Sequence, residues 1–184
     1  MRAFIAIDIP NSIKESIYEV SKNLSTAGIV VVKPEAMHIT LQFLGEIDDT
    51  IEGRVEEALG FIEYKSFGIS LHGIGYFSPG FIRVLFVEVK EGREELNELY
   101  SMISSALKLR SIRFDSTEYT PHLTIARVKY VKDKHMLTEF AEKYAAHDFG
   151  SFRPEAVKLK KSVLGSGGPV YSDIYSKSLT PLPQ

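Results

Sequence analysis

At 184 residues, 44% of them hydrophobic and 25% charged, the chain has the size and composition of one globular domain, large enough to bury a core without a metal or disulfide staple. Cysteine is absent, which excludes disulfides, thiolate metal sites and a cysteine nucleophile together. A formal charge of −2 argues against salt-driven binding to bulk duplex but leaves room for a local basic cleft. No apolar run reaches the roughly 18 residues a membrane span needs, and the opening MRAFIAIDIP carries no long apolar region or small-residue cleavage site. A soluble, cytoplasmic protein is therefore the expectation, and a monomer is expected with it.

The run Phe4-Ile-Ala-Ile-Asp-Ile9 predicts a buried strand stopped by Pro10. Ser12 and Glu15 stand at capping-box spacing ahead of Ile13, Ile17, Val20 and Leu24, one apolar helical face. Ile29 to Val32 and His38 to Leu44 predict two strands, ended by Lys33-Pro34 and Gly45. Asp48 and Asp49 are placed to cap a helix striped by Ile51, Val55, Ala58, Leu59 and Ile62. Strands are expected over Phe67 to Phe77 and Phe81 to Val89, joined at Ser78-Pro79-Gly80. A helix follows with Leu96, Leu99, Ile103 and Ala106 on one side, then a strand over His122 to Val128. Met136, Leu137, Phe140, Ala141 and Tyr144 mark a last helix, and strands over Ala156 to Leu164 and Val170 to Ser178 are joined by Gly165-Ser-Gly-Gly168.

Landmarks recur in order. Arg2-Ala-Phe-Ile-Ala-Ile matches Arg83-Val-Leu-Phe-Val-Glu at an offset of 81, His38-Ile-Thr-Leu matches His122-Leu-Thr-Ile at 84, and Phe67-Gly matches Phe149-Gly at 82. Asp48 and Lys132, each ahead of a helix, are again 84 apart. A duplicated strand–helix–strand–helix–strand unit accounts for this, with halves of roughly 1–80 and 81–184 facing each other across a cleft inside one domain.

Five His and eight Thr would by chance form roughly 0.2 His-x-Thr triplets; two occur, at equivalent places in the repeat. Strand alternation aims His38 with Thr40, and His122 with Thr124, to one side. Imidazole titrates near neutrality, so one ring can accept a proton while the other donates one. Hydroxyls and Arg127 suit the non-bridging oxygens of a phosphate. Strict alternation, however, puts Arg127 on the opposite strand face from His122, so it reaches the site past the strand end, through a bulge, or not at all, a surface ion pair being its other reading. Such a set fits in-line displacement at phosphorus, for which a strained 2′,3′-cyclic phosphate is already reactive.

At these residues the chain resembles the 2H phosphoesterases, and within them the RNA 2′,3′-cyclic phosphodiesterase group, also called 2′-5′ RNA ligases. The resemblance runs through MRAFIAID, HITLQFLGE, the Gly-Ile-Gly-Tyr-Phe stretch, HLTIARVK and the late Gly-Pro-Val-Tyr segment. It implies a bilobal α+β fold with antiparallel sheets lining a central cleft and helices outside. It also implies metal-independent opening of cyclic phosphate RNA ends, tRNA fragments among them, to 2′-phosphates, with reversible 2′-5′ joining and no cofactor. His38 would be the proton donor, His122 the proton acceptor, and Thr40, Thr124 and Arg127 the phosphate contacts.

Blander readings stand beside these. Lys158, Lys160 and Lys161 read as a solvated strand face rather than an RNA track, and Phe43, Tyr76 and Phe77 as core rather than base-stacking groups. His72, His135 and His147 read as structural or solvated. Rival functions are a metal enzyme, a non-catalytic nucleotide-binding module, and a related phosphodiesterase of a small cyclic phosphate or a 2′-5′ oligonucleotide. Neither triplet has an acidic partner at metal-site spacing.

Overall fold

The computed structural model describes residues 1–184 except Pro79, Gly167 and 182–184; Pro79 and Gly167, each inside a turn expected from sequence, thus lie outside the described residues. In chain order the elements are β1 (Arg2–Asp8), α1 (Asn11–Ser21), β2 (Ile29–Val31), β3 (His38–Glu46), α2 (Asp49–Gly60), β4 (Ile69–Tyr76), β5 (Val84–Val89), α3 (Arg93–Leu109), β6 (His122–Val128), α4 (His135–Lys143), β7 (Asp148–Phe152), β8 (Ala156–Gly165) and β9 (Gly168–Ser178). The strands form one curled antiparallel sheet in the order β7-β4-β5-β6-β3-β1-β8-β9, with β2 also on β6. β3 and β6 meet through a single ladder pair, Ile39 with Leu123. That seam divides a β3-β1-β8-β9 lobe from a β6-β5-β4-β7 lobe.

The chain crosses between lobes. β4, from the first half of the sequence, pairs with β5 and β7, while β8, from the second half, pairs with β1. The repeat boundary near residue 80 therefore does not coincide with the seam. The strand register also corrects one offset: Ala6 lies opposite Thr40 and Phe86 opposite Thr124, so β1 and β5 correspond at 80 residues rather than 81.

β1 sits between β3 and β8, and its apolar run is buried on both faces from Ala3 to Ile7. The helices close the opposite side from the motif side chains, burying Ile13 and Ile17 of α1, Val55 and Leu59 of α2, and Leu96, Leu99, Ile103 and Leu107 of α3. Burial of such stripes, at roughly 25 cal/mol per Å² of apolar surface, is the main stabilising contribution. The Asp48 side chain caps α2 by accepting from the Ile51 amide at 2.8 Å. No such cap forms at Ser12. α1 instead starts on Pro10, whose carbonyl accepts from the amides of Ile13 and Lys14, so the Ser12–Glu15 capping box is not made. The short edge strand β7 answers to the Phe149-Gly landmark of the repeat but shows no pattern of its own, with Gly150 in its middle and too few residues for alternation to register.

Gly28, ahead of β2, has φ +87°, and a Cβ there would stand 2.2 Å from the Tyr130 carbonyl oxygen. Left-handed backbone alone costs a residue with a Cβ about 1–2 kcal/mol. Gly28→Ala is expected to lower Tm by several degrees in thermal denaturation; an unchanged Tm would mean the Gly28–Tyr130 approach is not needed.

Candidate active site

Ile39 and Leu123, paired at the seam, are fully buried beneath the helices. Continuing that antiparallel register by one residue each way sets His38 against Thr124 and Thr40 against His122. All four side chains are half-buried on the open face of the sheet. In a regular antiparallel pair directly opposed residues carry Cβ atoms about 5 Å apart, and diagonal ones, the relation of His38 to His122 in this register, stand somewhat under about 7–8 Å apart.

β3 and β6 share another feature. In each, one extra residue breaks the ladder just after the Thr: the β1–β3 register skips Leu41, and the β5–β6 register skips Ile125. These bulges turn Gln42 and Ala126 inward and return the next residue to the open face. Gln42, now buried, donates to the Ser104 hydroxyl of α3 at 3.0 Å. The residue returned to the open face is Phe43 on β3 and Arg127 on β6. The bulge thus brings Arg127 to the same side as His122, against strict alternation, while the equivalent position of the first repeat holds an aromatic ring.

The surroundings of each imidazole set its chemistry. His122 Nδ1 lies 2.7 Å from the Thr120 carbonyl oxygen. A carbonyl only accepts, so Nδ1 carries the proton and the neutral ring presents its lone pair at Nε2. The rings of Phe77 and Phe86 flank it at 5.0 and 5.2 Å. Burial, helped by the Arg127 charge and opposed by the Thr120 carbonyl, holds His122 below the usual histidine range. His38 is stacked on Phe4 at 4.7 Å and met edge-on by Tyr171 at 5.2 Å. Burial, and next the Lys160 charge, push it down to about 4, against weaker support from the Ala36 backbone and Asp8. Both rings are therefore neutral near pH 7 in the free protein.

Beside His122 lies a cavity of about 290 Å³, lined by Thr40, Phe43, Phe77, Tyr119 and Thr120 among others. Phe43 is 48% exposed, so it belongs to the cleft and not to the core, and Phe77 joins it there. Tyr76 packs against the core. Phe4, Phe86 and Tyr171, which wall the two imidazoles, are not singled out by sequence patterning; their one signal is parity, since Phe4 and Phe86 fall on the same strand face as the residues that pair with the motifs. Lys158 and Lys160 do not form a solvated face. They pair with Asp8 and Asp173 beside His38, and Lys160 is only 8% exposed. Among the described residues no three His, Asp or Glu side chains are grouped to hold a metal ion, and no helix is long and apolar enough to cross a membrane.

Comparison with known proteins gives a consistent result. The family model of the 2′-5′ RNA ligase superfamily matches residues 14–162. The RNA 2′,3′-cyclic phosphodiesterase of Methanocaldococcus jannaschii is 39% identical over 177 residues, covering 95% of this chain and 98% of that one. Its counterpart from Archaeoglobus fulgidus is 37% identical over 176 residues at the same coverage. Among solved structures, the Thermus thermophilus protein TT0787 superposes with a TM-score of 0.80 at 26% identity, covering 98% of this chain and 99% of that one. E. coli LigT complexed with 3′-AMP shares the fold at a TM-score of 0.79 and 22% identity, covering 97% of this chain and 98% of that one.

Proposed function

The chain belongs to the 2′-5′ RNA ligase superfamily, and from that premise we propose that it hydrolyses 2′,3′-cyclic phosphate ends of RNA to 2′-phosphates, with His38 and His122 as its acid–base pair. The observation that carries the reading is the seam: two imidazoles and two hydroxyls from both motifs share one open face, each His set against the other motif's Thr.

His122, with Nδ1 tied to Thr120, takes a proton from water at Nε2 as the water oxygen bonds to phosphorus. The bond from phosphorus to the 3′ oxygen breaks on the far side, and His38 delivers a proton to that oxygen, leaving the phosphate on the 2′ oxygen. Thr40, Thr124 and Arg127 hold the non-bridging oxygens, whose negative charge grows in the transition state. His38 is neutral in the free protein; the arriving phosphodiester anion favours its protonated form, so substrate loads the acid. With the 5′-hydroxyl of a second RNA in place of water, the same groups make a 2′-5′ linkage.

No metal takes part in this scheme, and neither half of the sequence holds both imidazoles, so residues 1–80 and 81–184 act as one bilobal domain. The working form is a cytoplasmic monomer, with RNA ends such as tRNA fragments as substrate. The test is a product assay on a 2′,3′-cyclic-phosphate-terminated oligoribonucleotide with chelator present. A 2′-phosphate product is expected; a 3′-phosphate, or turnover abolished by the chelator, overturns the proposal.

Arg127→Met and Thr124→Val are each expected to reduce kcat/KM about tenfold, less than the loss of a histidine, because each removes one of several contacts to the phosphate oxygens. Steady-state kinetics on the same oligonucleotide checks this; wild-type values for Arg127→Met would place that guanidinium outside the site.

A further inference from the structure

Beside His38 the open face carries a closed ring of four charges. Lys158 Nζ lies 2.7 Å from Asp8 Oδ2 and 2.6 Å from Asp173 Oδ2, and Lys160 Nζ lies 2.8 Å from Asp8 Oδ1 and 2.6 Å from Asp173 Oδ1. Every carboxylate oxygen of the ring has a lysine, and each lysine bridges both aspartates. The ring spans β1, β8 and β9: Asp8 ends β1, and Lys160 is paired in register with Phe4 on one side and Asp173 on the other. Asp8 is the cross-strand partner of His38.

A carboxylate in that position is well placed to hold a histidine as imidazolium when its oxygens are free. In the first lobe both oxygens of Asp8 are taken up by lysines. Burial alone would raise the Asp8 carboxyl, but hydrogen bonds and charge from Lys158 and Lys160 outweigh it and keep Asp8 ionised. The ring therefore has no net charge, and its Lys160 stands in register beside Phe4, whose ring is stacked on His38.

We propose that Asp8 and Lys160 are positioning residues for His38, the ring fixing the wall on which the imidazole rests and keeping the neighbouring carboxylate from pairing with it, so that His38 takes up its proton from the phosphate-bound state and not beforehand. The charged and titratable groups about His38 are Arg2 and Asp8 on β1, Lys14 on α1, Lys158 and Lys160 on β8, and Tyr171 and Asp173 on β9, with Glu35 exposed in the turn before β3 and His122 and Arg127 across the seam. Of these, Lys160, Asp8 and Lys14 act on His38 through charge. The proposal rests on His38 being a reacting group, but the ring's effect on that imidazole is measurable whether or not the protein turns over RNA.

The experiment is an NMR pH titration of the His38 imidazole, assigned by its absence in His38→Ala, in the full chain and in two charge-removing variants. Lys160→Met frees Asp8 from one cation and is expected to raise the His38 midpoint by about one pH unit; Asp8→Asn leaves two lysines against Asp173 alone, one positive charge in excess, and is expected to lower it by a similar amount. The double variant should fall between them. A ring that only supports the fold cannot move the midpoint in opposite directions, so shifts of the same sign, or none, overturn the proposal. If Lys160→Met does not fold, Lys158→Met, whose side chain is 26% exposed, should give the same upward shift. In activity the falling limb of kcat, where a protonated His38 is lost from the substrate complex, should move in the same direction as the NMR midpoint. A rise in KM for RNA in Lys160→Met with an unmoved midpoint would make the lysine an RNA contact and end the assignment. Shifted midpoints without any phosphodiesterase activity would uphold the ring while removing the proposed reaction.

Discussion

Replacing either His38 or His122 with alanine is expected to lower kcat/KM for a cyclic-phosphate RNA end by about 10²- to 10⁴-fold, the usual contribution of a positioned acid or base. Neither change touches the core, because both side chains stand on the open face while their neighbours Ile39 and Leu123 carry the packing; Tm should stay close to that of the parent. The double variant is the sharper measurement. Proton removal from water and proton delivery to the leaving oxygen belong to one displacement, so losing the second group after the first costs far less than it does alone. The expected double loss falls well short of the product of the singles. Fully multiplicative losses would show that the two rings serve separate steps, and the acid–base pairing across the seam would have to be abandoned.

The second large effect is in pH. His38 is pushed down to about 4 and His122 is held below its ordinary value, each first by burial. The productive free enzyme has His38 protonated and His122 neutral. Above the His122 value its population falls tenfold per pH unit, because only the acid continues to lose its proton. kcat/KM, which reports the free enzyme, is therefore expected to drop about a hundredfold between pH 6.5 and 8.5. kcat reports the complex, where the bound phosphodiester raises His38, so its falling limb should lie at higher pH. A kcat/KM profile flat across that interval would count against a two-histidine mechanism. Coincident limbs in kcat and kcat/KM would show instead that phosphate does not load the acid.

The parts of the molecule legible in sequence are those governed by a simple period. The His-x-Thr pairs follow strand alternation, and β6 ends where the apolar pattern from His122 to Val128 ends. Arg127 is harder to place because a single extra residue at Ile125 inverts parity, and no composition cue at Ile125 marks the bulge. The β5 partner strand, not β6 itself, shows it. Lys160 misleads for a different reason. A lysine in a strand is solvated unless its charge is matched, and its matches, Asp8 and Asp173, lie 152 and 13 residues away in the chain. Ser12 has the right spacing for a cap, but Pro10 already supplies a carbonyl to the first turn.

The exchange of strands between lobes bears on how the molecule tolerates being cut. A break in the backbone near Gly80 would separate neither wall of the cleft from the other. The fragment ending there would keep β4 laced between β5 and β7, and the remaining fragment would keep β8 laced beside β1. Two polypeptides so interleaved hold the histidines in register without a peptide bond joining them, and parting them means unzipping whole ladders, not opening a hinge.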